Sequence, residues 1–179
     1  EVIHYCGSDF LIEGRLLKKC LSAQKHVVIP DSIYDIGMGA FENNKEIESV
    51  TIQKTLVRIG PRAFCGCDNL KELILPETEA PIIISPGAFM DCFSLCDEDG
   101  FLIIYGSLFF YDYRKPAQEL TIPKNVVCIE GNAFWQNLQL FNVTNPNNVK
   151  SIESHAFCMC ENLESITLSE NLEKIGFSA

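Results

Sequence analysis

The sequence of 179 residues predicts a solenoid: coils of about 23 residues whose short strands pair in parallel from one coil to the next. Three observations carry this expectation. First, the dipeptide Ala-Phe recurs at Ala40-Phe41, Ala63-Phe64, Ala88-Phe89, Ala133-Phe134 and Ala156-Phe157. The intervals hold to one period except between the third and fourth copies, where the interval is nearly doubled. A fixed period in this range marks stacked repeats. Second, columns flank each copy. Ile36, Ile59, Ile84, Ile129 and Ile152 stand upstream; Asn44, Cys67, Cys92, Asn137 and Cys160 follow the Phe; Ile47, Leu70, Leu95, Leu140 and Leu163 come next. Third, a repeat ends on a period of two, as in Leu73-Ile74-Leu75, which turns Leu73 and Leu75 to one face and Ile74 to the other. One such coil cannot bury its apolar face alone, but a stack of them encloses a continuous core. Each recurrent Phe then packs on the Phe of the next coil, contributing about 2 kcal/mol by burial.

The elements follow in order within a single solenoid over 1–179. Residues 1–26 form an N-terminal hairpin segment in which Phe10-Leu11-Ile12 and Leu16-Leu17 turn at Glu13-Gly14. Residues 27–96 are repeats. The first coil runs to Ile52, with Gly37 and Gly39 easing its bend, and the second, Gln53 to Pro76, is the most regular copy. The third carries extra residues between Glu77 and Pro81, so its strand is expected to be irregular. Residues 97–119 are a hairpin insertion turning at Gly106-Ser107; its Phe101-Leu102-Ile103 repeats Phe10-Leu11-Ile12, as Ile122-Pro123 repeats Ile29-Pro30. It stands in for one coil and accounts for the long interval from Phe89 to Phe134. Residues 120–179 are repeats again, with Trp135 in the fourth Ala-Phe coil. Asn145 occupies a position where Ile52 and Leu75 are apolar, so a looser strand is expected there. The last residue, Ala179, is the Ala of a new Ala-Phe pair. A fragment cut in mid-repeat is therefore expected, and missing targeting signals carry no weight.

Composition narrows the function. With 14 Lys and Arg against 24 Asp and Glu, the net charge of −10 argues against nucleic acid and against anionic membrane surfaces. No apolar run is long enough to span a bilayer. Among nine cysteines, Cys67, Cys92 and Cys160 share a column with Asn44 and Asn137 and read as small buried side chains at a tight bend. Cys128 is expected on the opposite side of its strand, and Cys6, Cys20 and Cys96 are left open. Cys65-x-Cys67 and His155-x-x-Cys158-x-Cys160 hold zinc-type ligands. They lie about four coils apart, on the order of 15–20 Å at strand spacing, so no metal and no cofactor is expected. Stacked side chains at Cys67 and Cys92 fit a disulfide dihedral poorly. The histidines are His4, His26 and His155, and His155 falls in a column with Gly39, Arg62, Gly87 and Asn132 that reads as variable and solvent-facing. No Ser or Cys nucleophile has a base nearby and no glycine-rich phosphate loop is present, so no enzymatic role is expected.

The outward strand positions remain. Thr51, Ile74, Thr121, Thr144 and Thr167 form the middle column, flanked by Glu48, Lys71, Phe141 and Glu164. Together they are the candidate protein-binding set. The other reading of the same column is a solvated sheet face, because Thr is favoured in strands. The aromatic residues of the second hairpin, Phe101 to Tyr113, either form a second docking patch or pack on the solenoid.

The Ile-Pro, Ile-Gly, Ala-Phe, Cys and Leu positions (Ile29-Pro30, Ile36-Gly37, Ala40-Phe41; Ile59-Gly60, Ala63-Phe64, Cys67, Leu70, Leu75-Pro76; Ile122-Pro123, Ala133-Phe134; Ala156-Phe157, Cys160, Leu163) resemble the BspA-like leucine-rich repeat family of bacterial cell-surface proteins. The resemblance covers about residues 27 to 179. It implies an α/β-type leucine-rich repeat, a right-handed solenoid with short parallel strands and helical turns, displayed outside the cell. It also implies adhesion to host or neighbouring-cell proteins, such as extracellular-matrix proteins, and supplies no catalytic residues. Two alternatives stand beside it. One is a surface glycan-binding protein using aromatic platforms such as Trp135, Phe141 and Tyr105. The other is a ligand-free architectural spacer.

Overall fold

In a computed structural model of the protein, residues 3–6, 9–78 and 80–179 are described, the first four by their backbone alone. The chain divides into two compact units, Glu1–Leu95 and Cys96–Ala179, built on one plan.

In the first unit, β1 (Ile3–Cys6), β2 (Phe10–Glu13) and β3 (Leu16–Cys20) form an antiparallel meander. β3 then pairs in parallel with β5 (Asp35–Ile36), and the ladder continues through β7 (Arg58–Ile59) to β9 (Ile83–Ile84). A second parallel sheet holds β4 (His26–Val28), β6 (Ser49–Thr51) and β8 (Glu72–Ile74). Register partners Val27, Val50 and Leu73 keep one constant period, while the step from Ile59 to Ile84 is longer because the extra residues after Pro76 fall within it.

The second unit repeats this arrangement. β10 (Phe101–Ile104) and β11 (Ser107–Tyr111) make the hairpin. β11 leads a parallel ladder of β13 (Cys128–Ile129), β15 (Ser151–Ile152) and β17 (Lys174–Ile175). The second sheet is β12 (Glu119–Thr121), β14 (Asn142–Thr144) and β16 (Ser165–Thr167).

The hairpins are the first rungs of the ladders. Leu17 pairs with Ile36, and Leu108 with Ile129, so a hairpin Leu heads each column of buried Ile. Both hairpins carry a register shift at the same place, between Leu11 and Ile12 and between Leu102 and Ile103. The turns fall at Gly14-Arg15 and at Tyr105-Gly106, each one position away from the expected place. Tyr105 (φ 52°) and Gly106 (φ 77°) are both left-handed, the pair that a two-residue hairpin turn needs to match the strand twist. The hairpin aromatics pack: Phe101, Phe109, Phe110 and Tyr111 are buried, and Tyr111 joins the stack on Phe134 at 5.5 Å.

The recurrent Phe column is the core, as expected. Phe41 and Phe64 stack at 4.7 Å, Phe64 and Phe89 at 5.4 Å, and Phe134 and Phe157 at 4.7 Å. The small-residue column beside it has a polar reason. The thiols of Cys67, Cys92 and Cys160 donate to the carbonyls of Phe41, Phe64 and Phe134 at 3.1, 2.9 and 3.0 Å, one coil upstream. Where the column holds Asn44, its Oδ1 accepts from the Glu46 and Ile47 amides instead. The cysteines with described side chains, Cys67 and Cys92 among them, are thiols rather than disulfides, and the Cys6 side chain lies outside the described residues. The Cys128 thiol sits 3.4 Å from Glu130 Oε1, half-buried.

Two expectations are corrected. The bends are not helical: among the described residues the only helical piece is the 3-10 turn Phe93–Leu95. Each bend instead puts a pair of residues, one helical turn apart in sequence, in the left-handed region: Gly39 and Asn43, Arg62 and Gly66, Gly87 and Asp91, Asn132 and Gln136, His155 and Met159. This breaks the run of right-handed residues that a helix needs. It lets alternate amides reach the next coil, as when the Phe41, Phe64 and Phe134 amides donate to the Ala63, Ala88 and Ala156 carbonyls. The column containing His155 is therefore set by backbone handedness, not by exposure, and His155 itself is half-buried against Phe177. The second correction concerns Asn145. Its amide donates to the Thr167 carbonyl at 3.0 Å and the ladder runs unbroken. The cost falls on the side chain, which is buried with neither polar atom bonded to protein.

Candidate protein-docking faces

The three-residue strands carry Thr51, Ile74, Thr121, Thr144 and Thr167 of the predicted site, and Glu48, Lys71, Phe141 and Glu164 each stand just before one. The strands' central residues point inward, so the two neighbours of each point out. Glu48, Thr51, Lys71 and Ile74 lie in the first unit; Thr121, Phe141, Thr144, Glu164 and Thr167 lie in the second.

In the first unit the register aligns the outward residues in rows. Val28, Thr51 and Ile74 form one row across β4, β6 and β8. Its two apolar members are open to solvent, Val28 at 55% and Ile74 at 43%. His26, Ser49 and Glu72 form the next, in which Ser49 is buried with its Oγ 2.8 Å from His26 Nδ1. Beside the strands stand Lys25, Glu48 and Lys71, where Glu48 is bridged by Lys25 at 2.5 Å and by Lys71 at 3.1 Å. Hydrogen bonds from Lys25 first and Lys71 second hold the Glu48 carboxyl down at about 2. Glu48 and Lys71 thus engage each other in a charged row before the strands, three positions from the Val28–Thr51–Ile74 row.

In the second unit Thr121, Thr144 and Thr167 align across β12, β14 and β16, and all three are exposed. The parallel row is Glu119, Asn142 and Ser165, where Ser165 Oγ donates to Asn142 Oδ1 at 2.6 Å. Phe141 is half-buried beside β14, and its carbonyl accepts the Glu164 amide at 2.8 Å. This face has fewer charges than its counterpart: Glu119 and Glu164 are its carboxylates and no Lys or Arg stands in its rows.

Sequence reasoning missed Val28, whose outward direction follows from its register with Thr51. It also missed a cleft of about 840 Å3 beside β12, lined by Glu98, Asp99 and the run from Glu119 to Lys124. No sequence signal marks it, because Glu98 and Glu119 meet only in the fold. Among the described residues, no group of three His, Cys, Asp or Glu side chains is placed to hold a metal ion, and no helix is long and apolar enough to cross a membrane.

Recurring coils of constant register, parallel ladders and a stacked Phe column define a β-solenoid of the leucine-rich-repeat class. The chain belongs to the BspA-type leucine-rich repeat family: the profile of the BspA type Leucine rich repeat region matches residues 12–99 and 102–179, in six copies. Repeats of this kind are protein-interaction modules, and the family is typically non-enzymatic. Among solved structures, the chain is similar to a leucine-rich repeat protein of T. pallidum, at 24% identity and a TM-score of 0.55, covering 90% of this chain and 77% of that one. It also matches a leucine-rich cell-surface protein of Faecalibacterium prausnitzii (17% identity, TM-score 0.41, 96% and 78% covered). A leucine-rich repeat protein of Bacteroides ovatus matches at 18% identity and a TM-score of 0.45, with 98% and 53% covered. No functionally curated protein matches the sequence.

Proposed function

We propose that the chain is a non-enzymatic, adhesin-like module that is presented at a bacterial cell surface and binds host or neighbouring-cell proteins through the outward faces of its three-residue strands. The observation that carries this reading is the in-register exposed row Thr121–Thr144–Thr167, with its counterpart Val28–Thr51–Ile74 in the first unit. Thr, Val and Ile have few rotamers to lose, so a partner that covers them forfeits about 0.5–1 kcal/mol per side chain rather than the cost of freezing Lys or Glu. In the first unit the apolar row stands at one end of β4, β6 and β8 and the Lys25–Glu48–Lys71 ladder before the other, an apolar patch with a charged margin of the kind found at protein interfaces. Presentation outside the cell is the part of the reading that rests on family membership.

The test is binding of the purified protein to immobilised matrix proteins and glycans, beside a folded Thr144→Arg, Phe141→Glu variant. Saturable binding to a protein, lost in the variant, is the expected result. A response on glycan spots alone would replace the partner class with carbohydrate. Silence across the panel from a cooperatively melting protein would favour an architectural spacer.

A further inference from the structure

The cleft beside β12 runs along the edge of a sheet. The sheet order is β12-β14-β16, so β12 has a strand on one side only. The hydrogen-bond pattern says which main-chain groups are left over. The Asn142 amide donates to the Gln118 carbonyl at 2.8 Å and the Ile122 amide to the Thr144 carbonyl at 2.9 Å. In a parallel ladder the bonded residues alternate, so Gln118, Leu120 and Ile122 turn their main chain to β14, and Glu119 and Thr121 turn theirs away. Among the described residues, no backbone hydrogen bond outside the β12–β14 ladder involves Glu119 or Thr121. The next outward position is Pro123, which has no amide to satisfy. An edge of unpaired amides and carbonyls is a template for another strand.

The edge is also open. The cleft of about 840 Å3 is lined by the run from Glu119 to Lys124, by Glu98 and Asp99, and by Arg114 and Lys115. The equivalent place in the first unit, beside β4, is reduced to about 190 Å3 by Asp9, Phe10, Ser22 and Gln24. Charge runs along the cleft with a direction. Glu119 opens β12 and Lys124 lies beyond its end. Arg114 is held by both oxygens of Asp112, at 2.9 and 2.8 Å, and Lys115 reaches the Glu98 carbonyl, so both of these lining cations are engaged.

We propose that the open edge of β12 binds an extended segment of the partner protein as an added parallel strand, with a Lys or Arg of that segment beside Glu119 and a carboxylate toward Lys124. The main-chain groups of Glu119 and Thr121 supply the pairing, and Glu119 at one end with Lys124 at the other sets its direction. This deepens the protein-interaction reading and rests on it: beside the side chains of the sheet face, the partner is recognised through backbone pairing at the edge.

The probe is a capped synthetic peptide, Lys-Val-Thr-Ile-Ser-Glu, followed by fluorescence anisotropy on the whole chain. Saturable binding is expected, with the charge-reversed peptide (Glu first, Lys last) at least tenfold weaker. The same peptide N-methylated at alternate residues loses its pairing amides and is expected to lose binding. Thr121→Pro removes one outward amide at a position where an edge strand tolerates proline, and is expected to weaken binding at least tenfold. Glu119→Lys leaves the backbone intact and is expected to invert the preference between the two peptides, which decides the matter even if Thr121→Pro fails to fold. Glu161→Lys, exposed and absent from the cleft lining, is expected to leave peptide binding unchanged. No saturable binding, or binding indifferent to N-methylation and to Glu119→Lys, overturns the proposal. Binding lost in Thr144→Arg but kept in both β12 variants moves the partner to the sheet face, overturning the edge while sparing the interaction reading.

Discussion

At the scale of single residues, the fold is written in backbone handedness as much as in apolar periodicity. The two left-handed positions of each bend hold Gly39, Gly66, Gly87, Asn43, Asp91, Asn132 and His155, residue types that tolerate φ near 60°, but also Arg62, Gln136 and Met159, which are less suited to it. A non-glycine residue there costs about 1–2 kcal/mol, of which the extra freedom of an unfolded glycine returns about 0.5–1 kcal/mol. Met159 stands at φ 61° with half its surface exposed, so little packing is lost on truncation. Met159→Gly is therefore expected to raise stability by up to about 1 kcal/mol, read as a higher urea midpoint at constant slope. A midpoint that falls would mean that the Met159 side chain contributes more than its backbone strain costs.

At the scale of elements, neighbouring coils are bridged by ion pairs between their surface residues. Lys25–Glu48–Lys71 is one such ladder, and Arg58–Asp35 and Lys45–Asp68 are others. Glu48 titrates at about 2 in the folded chain, below its value of about 4.3 when unfolded. The sign follows from linkage. The ionised carboxylate favours the folded state, so its contribution is complete above the unfolded value and is lost as pH falls from about 4.3 toward 2. Glu48 is exposed and screened by salt, so the effect is expected to be small. Glu48→Gln should flatten the acid limb of a stability-versus-pH curve measured by urea unfolding at low ionic strength, lowering stability slightly near neutral pH and leaving it unchanged below about pH 2. An unaltered acid limb would show that the ladder is solvated in solution. The strands themselves were legible in the sequence, since Val27, Val50 and Leu73, or Leu120, Val143 and Ile166, follow a simple period of two. The bends were legible in position but not in conformation. Gly, Asn and Asp in the two left-handed columns were the available signal, and Arg62 and His155 obscured it.

At the scale of the whole molecule, each unit is a hairpin followed by coils, and each coil finds its complement in the next. A stack of this kind concentrates stability in the shared column. Phe64 is fully buried and lies between Phe41 and Phe89 at 4.7 and 5.4 Å. Phe64→Ala is expected to cost about 3–5 kcal/mol, visible as a lowered Tm and urea midpoint. An unchanged melting curve would contradict the stacking register. The hairpins, expected as interruptions, turn out to begin the ladders, because Leu17 and Leu108 sit in register with Ile36 and Ile129. That role is invisible locally. A hairpin strand and a coil strand share no motif, and only pairing between positions distant in the chain puts them in one column.

The sequence by itself determined the repeat, its register and its core. These depend on which residues recur from coil to coil, and burial of Phe, Ile and Leu follows from that recurrence. It also placed Thr121, Thr144 and Thr167 on one outward row, because a period of two leaves no other face for them. What only the tertiary structure decided was the left-handed geometry of the bends, the pairing of Glu48 with two lysines, and the open edge of β12 with its cleft. Each of these depends on what lies one coil away, or on what does not lie there. An amide that finds a partner and an amide that lacks one look the same in a sequence, and their difference appears only once the neighbouring strand has been placed.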